Sequence, residues 1–340
     1  MSRPVQKSAL NIVMGCMTFG AKGTEGARVH DVKDIEAILD VFQAHGHYEL
    51  DTARVYAQGT SEGVLAALDW KKRGLAMDTK LYPMGPNGYK LRDLPVITHK
   101  PEDLRKHLDE SLKALNTDSL DMWYLHGPDR TTPYEVTLKT VDELYKEGKF
   151  KRFGISNYMS WEVAQIAEIC KTNGYVMPTA YQGLYNAIHR AVEPELFPCL
   201  RKYGMAFYEY NPLGGGFFTG RYRSTHDQVE SGSRFDPDKM QGKGYRYRYW
   251  NEAYFNALAK IEEAAKKYNL TLAEIALRWV EHHSLLKREH GDAIIIGASS
   301  LKHIEQNLID LEKGSLPEDV VKTLDEAWAS VKGTATNYFH

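Results

Sequence analysis

The sequence predicts an α/β fold, a (β/α)8 TIM barrel with a long lid loop after the seventh strand. Three observations carry that reading. Eight short strand-like runs alternate mostly with helical stretches, which implies a parallel sheet, and eight parallel strands close a barrel. The rival architecture, an open doubly wound sheet, should carry a GxGxxG fingerprint after its first strand, and MGCMTFGAKG does not fit it. Polar residues capable of chemistry fall at successive strand ends, which a barrel gathers at one mouth.

In chain order, strands are expected at 11–15, 48–50, 77–79, 120–125, 152–155, 178–181, 206–209 and 293–296. Before the fourth, Leu104, Leu108, Leu112 and Leu115 recur at helical spacing, and Pro101 suits a first helical turn. Val136, Val141 and Leu144 continue such a stripe before the fifth. Thr271 followed by Glu274 reads as a helix capping box. One region breaks the rhythm. From about 217 to 250, glycines, arginines and tyrosines replace apolar periodicity, and a loop of that length in a compact domain is a lid or binding loop. Between 219 and 250 it holds seven basic and four acidic residues, a local charge of +3, so an anion is expected to dock there. No repeat, low-complexity tract or Pro/Gly-rich linker divides the chain, which reads as a single barrel domain over residues 1–340.

Composition excludes several function classes. At 43% hydrophobic and 26% charged the chain is an ordinary globular protein, long enough for a large core. A net charge of −2 offers no global field for nucleic acid or an acidic membrane. The alternation of Tyr and Arg in GYRYRYW is too short to make a nucleic-acid strand site on such a protein. Cys16, Cys170 and Cys199 are odd in number, far apart and outside any CxxC pattern. They argue for a reducing compartment and against a disulfide frame or a metal site. No apolar run is long enough to span a membrane or form a signal-peptide core, so the expected address is the cytoplasm.

Asp51, Lys80 and His126 lie just past three of the strands, and Tyr56 follows the first of these by one short turn. A buried Lys80 beside Asp51 would keep its ammonium charged and fixed. Such a cation is expected to lower the pKa of Tyr56 toward working pH and make it a general acid. His126 is placed to hydrogen-bond the same oxygen, and the chemistry this suits is reduction of a C=O. Taken singly, an Asp is more often a cap, a Lys solvated and a His part of the core. Together at successive strand ends they read as a proton-donating site. Later strand ends add Ser156-Asn157, Gln182 and Tyr210. An amide and a hydroxyl match a carboxamide, and an aromatic ring can stack on a flat heterocycle, both features of nicotinamide. The plainer reading is that Ser156-Asn157 caps a helix beginning near Trp161.

The blocks DTARVYAQGTSE, DMWYLHGPDRTTPYE, GKFKRFGISNYMSWEVA, YQGLYNAIHRAVEPELFPCLRKYG, YNPLGGGFFTGRY and HGDAIIIGASSLKHIEQNL, with the terminal NYFH, resemble the aldo-keto reductase superfamily. Within it they are most similar to the aflatoxin-aldehyde (succinic semialdehyde) reductase family, from about Met14 to the C-terminus. The resemblance implies that Asp51, Tyr56, Lys80 and His126 form a catalytic tetrad. It implies nicotinamide contacts from Ser156, Asn157, Gln182 and Tyr210. NADPH-binding segments would run over 211–221, with Asn211, Leu213, Gly215 and Arg221, at Arg234, and over 299–307, with Ser299, Ser300, Gln306 and Asn307. Tyr245 and Arg248, with His126, would meet the substrate, and a homodimer is the common assembly of such proteins.

Two departures from the resemblance stand out. Many members place a Lys and an Arg in the last segment for the 2′-phosphate, where this chain has Gly297 and His303. The basic loop, including Arg234, is expected to meet that charge instead. The terminal residue is His340 where an Arg is associated with acidic aldehydes, a weaker and pH-dependent cation. The reading is an NADPH-dependent reductase of aldehydes, including dicarbonyls, semialdehydes and aromatic aldehydes. Its rivals are a pathway-specific ketone or aldehyde reductase of secondary metabolism and a non-catalytic NADPH-binding regulatory subunit.

Overall fold

The computed structural model describes residues 3–85 and 96–340. The elements run β1 (Asn11–Gly15), α1 (Val32–Ala44), β2 (Glu49–Asp51), α2 (Ser61–Ala66), β3 (Ala76–Leu81), α3 (Pro101–Ala114), β4 (Leu120–Leu125), α4 (Tyr134–Lys146), β5 (Phe150–Ser156), α5 (Ser160–Asn173), β6 (Pro178–Leu184), α6 (Leu196–Tyr203) and β7 (Ala206–Tyr210). After β7 come α7 (Met240–Tyr249), α8 (Glu252–Lys267) and α9 (Leu272–His282), then β8 (Ala293–Gly297), α10 (Leu301–Leu311) and α11 (Glu318–Val331). The eight strands pair in sequence order, all parallel, and β8 pairs back onto β1 to close the barrel. The predicted (β/α)8 architecture is therefore the observed one.

Burial follows from the alternation of strand side chains and the helical stripe. Leu104, Leu108 and Leu112 of α3 face the barrel wall, as do Val141 and Leu144 of α4. Inside the barrel, Val13, Met122, Tyr124, Ala180 and Ile295 fill the centre. A polar floor lies among them: Arg152 reaches Glu49 at 2.7 Å and the Tyr208 hydroxyl at 3.1 Å. The Thr271 hydroxyl accepts from the Glu274 backbone N–H at 3.0 Å, which caps α9 as expected. The Glu274 carboxylate turns outward to Arg278 and Lys313, so only half of the capping box forms.

Several expected strand ends need correction, each lying further along the chain than expected. β2 ends on Asp51, β3 runs through Lys80, β5 ends on Ser156, and β6 continues past Gln182 to Leu184. These polar residues are members of their strands because ladder pairing continues through them, as in Lys80 with Tyr124 and Ser156 with Gln182. The segment 217–250 also differs from a plain loop, since its last third is the helix α7. Gly242, Tyr245 and Tyr249 form its buried face. That face is too narrow and too aromatic to register as an apolar stripe. α5 begins at Ser160, and the Glu162 side chain accepts from the Met159 N–H at 2.8 Å, so Ser156-Asn157 does not cap it. No helix of the described residues is long and apolar enough to cross a membrane.

Candidate active site

Strand ends and the long loop enclose a cavity of about 540 Å3 at the carboxyl-terminal mouth of the barrel. At its base Lys80, fully buried on β3, donates to both carboxylate oxygens of Asp51 at 2.7 and 2.6 Å and to the Thr52 carbonyl at 2.7 Å. Gln182 of β6 donates to Asp51 Oδ1 at 2.8 Å. Tyr56 begins a tight turn just beyond β2 and lines the cavity, with Lys80 Nζ 4.9 Å from its ring centroid. His126, the first residue after β4, meets the Tyr56 ring edge-on at 5.7 Å. The four residues converge as the sequence predicts.

Their electrostatics differ from expectation at one point. The Tyr56 phenol is pushed well above its ordinary pKa, by burial first and then by the Asp51 carboxylate. Lys80 was expected to lower it. Its ammonium is instead saturated by Asp51 and Thr52, so the phenol sees a compensated ion pair. Tyr56 is thus stored as a neutral proton donor. His126 is held well below the usual imidazole range by burial, then by Lys80 and His340, so it is neutral too. Its Nδ1 is buried with no hydrogen-bond partner in the structure.

The amide and hydroxyl residues form a connected rim. Asn157 donates to the His126 carbonyl at 2.8 Å and to Ser156 Oγ at 2.9 Å, and its Oδ1 accepts from the Tyr210 hydroxyl at 2.8 Å. Asn157, Gln182 and Tyr210 line the cavity, whereas Ser156 lies fully buried beneath Asn157. Gln182 spends its amide N–H on Asp51 and so positions the ion pair. Asn211, Leu213, Gly215, Arg221, Arg234, Ser299, Gln306 and Asn307 line the other arm of the cavity. Ser300 faces a neighbouring cavity and caps α10 by accepting from the His303 N–H at 3.3 Å. Arg221 pairs with Glu230 at 2.5 Å on the surface.

Tyr245 and Arg248 of α7 both reach the cavity. The Tyr245 hydroxyl donates to Asn211 Oδ1 at 3.0 Å. Gly215, at φ +68°, leaves room for the Tyr245 ring, since a Cβ there would lie 2.2 Å from it. Arg248 acts on His340, whose imidazole is pushed down to about 4 by burial and by that guanidinium. Sequence reasoning missed several lining residues, among them Tyr82 and Arg28. Tyr82 meets His126 edge-on at 5.4 Å, and its signal was its place just past the end of β3, two residues beyond Lys80. Arg28 lies in an irregular stretch with no periodicity to mark it. A dinucleotide fits the arrangement: the amides of Asn157 and Gln182 and the Tyr210 ring line one end of the cavity, and at the other lies Arg234, whose guanidinium is 3.7 Å from where a Gly297 Cβ would be.

A barrel with a polar tetrad at its mouth is the architecture of one class of carbonyl reductases. The profile of the Aldo/keto reductase family matches residues 11–329 of this chain. The chain is 50% identical to Aldo-keto reductase pigE of Monascus ruber, over 98% of both proteins. It is 42% identical to human Aflatoxin B1 aldehyde reductase member 2, over all of this chain and 92% of the relative. A glycerol dehydrogenase from Gluconobacter oxydans, 23% identical, shares the fold with a TM-score of 0.71 over 94% of this chain and 91% of its own. The chain belongs to the Aldo/keto reductase family. It is an oxidoreductase of that family, interconverting carbonyl and alcohol groups of small molecules with a nicotinamide cofactor.

Proposed function

We propose that the protein reduces aldehydes, including dicarbonyls, semialdehydes and aromatic aldehydes, to alcohols with NADPH, and that Tyr56 is the general acid. The observation that carries this is the neutral Tyr56 phenol set beside neutral His126 over the buried Lys80–Asp51 pair. A bound nicotinamide would supply a hydride to the carbonyl carbon. The chain's part is proton delivery: as negative charge grows on the substrate oxygen, Tyr56 releases its proton to it, and solvent later restores the phenol. His126 orients that oxygen as a neutral donor. Lys80 balances the Asp51 carboxylate, whose charge alone would oppose the phenolate left behind. Cytoplasmic residence is supported by three cysteines with no disulfide.

The test is NADPH oxidation at 340 nm with succinic semialdehyde, 2-nitrobenzaldehyde, a dicarbonyl and aromatic ketones. Turnover of several unrelated aldehydes supports the reading, and none at all would overturn it. A second reading, a pathway-specific ketone or aldehyde reductase, is favoured by one feature of the wall. Tyr82 meets the rings of His126 and His340 edge to face, at 5.4 and 6.3 Å, and this wall suits a flat apolar carbonyl compound. Turnover confined to one aromatic ketone would favour it.

A further inference from the structure

Arg28 sits in the loop between β1 and α1, far in sequence from the long loop after β7, yet it crosses to it. Its Nη2 donates to the Gly232 carbonyl at 2.7 Å. Two residues on from Gly232, Arg234 projects over Gly297 at the end of β8 and lies over the Tyr245 ring at 5.7 Å. Both arginines line the main cavity, and Arg28 also borders the neighbouring one, as does Ser299. Among the described residues no carboxylate comes within ion-pair distance of either guanidinium. Glu230, the acid that acts on Arg28, is already held by Arg221 at 2.5 Å.

Two half-buried guanidiniums without a carboxylate between them repel each other, and that repulsion is relieved by an anion. The Arg28 guanidinium is held below its ordinary range by burial and then by the charge of Arg234. We propose that Arg28 and Arg234 form a two-arginine clamp for a phosphate monoester, the 2′-phosphate of the cofactor, closed between the loop after β1 and the loop after β7. The planar fork of each guanidinium suits bidentate binding of phosphate oxygens. Arg28 supplies from the first loop a charge that Gly297 and His303 do not. Its bond to Gly232 joins the two loops over the same limb of the cavity, so clamp and latch are one side chain. This inference rests on the NADPH reading.

The experiment is calorimetric titration of the full chain with adenosine 2′,5′-bisphosphate and with adenosine 5′-monophosphate, at two salt concentrations. The wild type should bind the bisphosphate at least tenfold more tightly, with the preference shrinking at high salt. Arg28→Gln keeps a donor for the Gly232 carbonyl and removes the charge. It should weaken the bisphosphate about ten- to a hundredfold and leave the monophosphate within about twofold. Arg28→Lys should retain part of the preference, and Arg28→Gln should melt within about 2 °C of wild type, on the scale of a surface change. Equal losses for both ligands, or none for the bisphosphate, would overturn the clamp while leaving NADPH preference intact. A wild type that does not distinguish the two nucleotides would overturn the NADPH reading itself.

Discussion

Tyr56 and His126 face each other uncharged, and that single fact sets the acid–base behaviour of the site. A phenol raised above its ordinary pKa stays protonated at every pH below that value. An imidazole lowered below its ordinary pKa stays neutral at every pH above it. Neither group changes charge between the ordinary imidazole value of about 6.5 and the ordinary phenol value of about 10. With cofactor saturating, kcat/KM for a neutral aldehyde should therefore vary less than about threefold across that range. A limb near 6.5 would show that His126 titrates, which the buried imidazole forbids. Tyr56→Phe should lower kcat by about a hundredfold or more while cofactor affinity, read by fluorescence quenching, is unchanged. At this scale the sequence was a good guide, because Asp51, Tyr56, Lys80 and His126 each sit beside a strand end. The direction of the Tyr56 shift was not legible, since it depends on how completely Lys80 is spent on Asp51.

Between elements, the buried Lys80–Asp51 pair bridges the ends of β3 and β2. Removing one partner there strands the other charge. Lys80→Met should destabilise the fold by about 3–5 kcal/mol in urea denaturation, apart from its effect on rate. Pairing it with Asp51→Asn should recover much of that loss without recovering activity, because both groups are then neutral. An undiminished midpoint for Lys80→Met would mean that water reaches the pair. The α7 docking offers a second test. Gly215→Ala forces a Cβ into the Tyr245 ring at a left-handed backbone position, and should lower stability by about 1–3 kcal/mol through displacement of that ring. Strand cores were legible from apolar runs, but strand ends were not. The mouth of the barrel is polar, so pairing outlasts the hydrophobic signal. α7 was hidden for the related reason that tyrosines, not aliphatic residues, anchor it.

At the scale of the whole molecule, the chain returns its own terminus to the mouth it built. The His340 N–H donates to the Asn157 carbonyl at 3.2 Å, and the Tyr338 hydroxyl reaches Glu195 at 2.6 Å. These contacts seat the last residues beside the ends of β5 and the loop before α6, and bring the His340 ring to the wall shared with Tyr82. With its pKa pushed down to about 4, His340 is uncharged at neutral pH and falls short as a cation for an acidic substrate. Under the proposed function that task falls to Arg248, which lines the same cavity, so the two residues should be tested together. Arg248→Ala should raise KM for succinic semialdehyde about ten- to a hundredfold and barely affect 2-nitrobenzaldehyde, since only the former can make a charge-assisted bond. His340→Arg should do the opposite, lowering KM for the semialdehyde by about tenfold by adding a permanent charge to the same wall. The two changes combined should return KM to near the wild-type value if both act on one carboxylate. If His340→Arg leaves succinic semialdehyde untouched, the acid end of that substrate does not reach the terminus. The aromatic wall of Tyr82, His126 and His340 would then define a site for uncharged, flat carbonyl compounds.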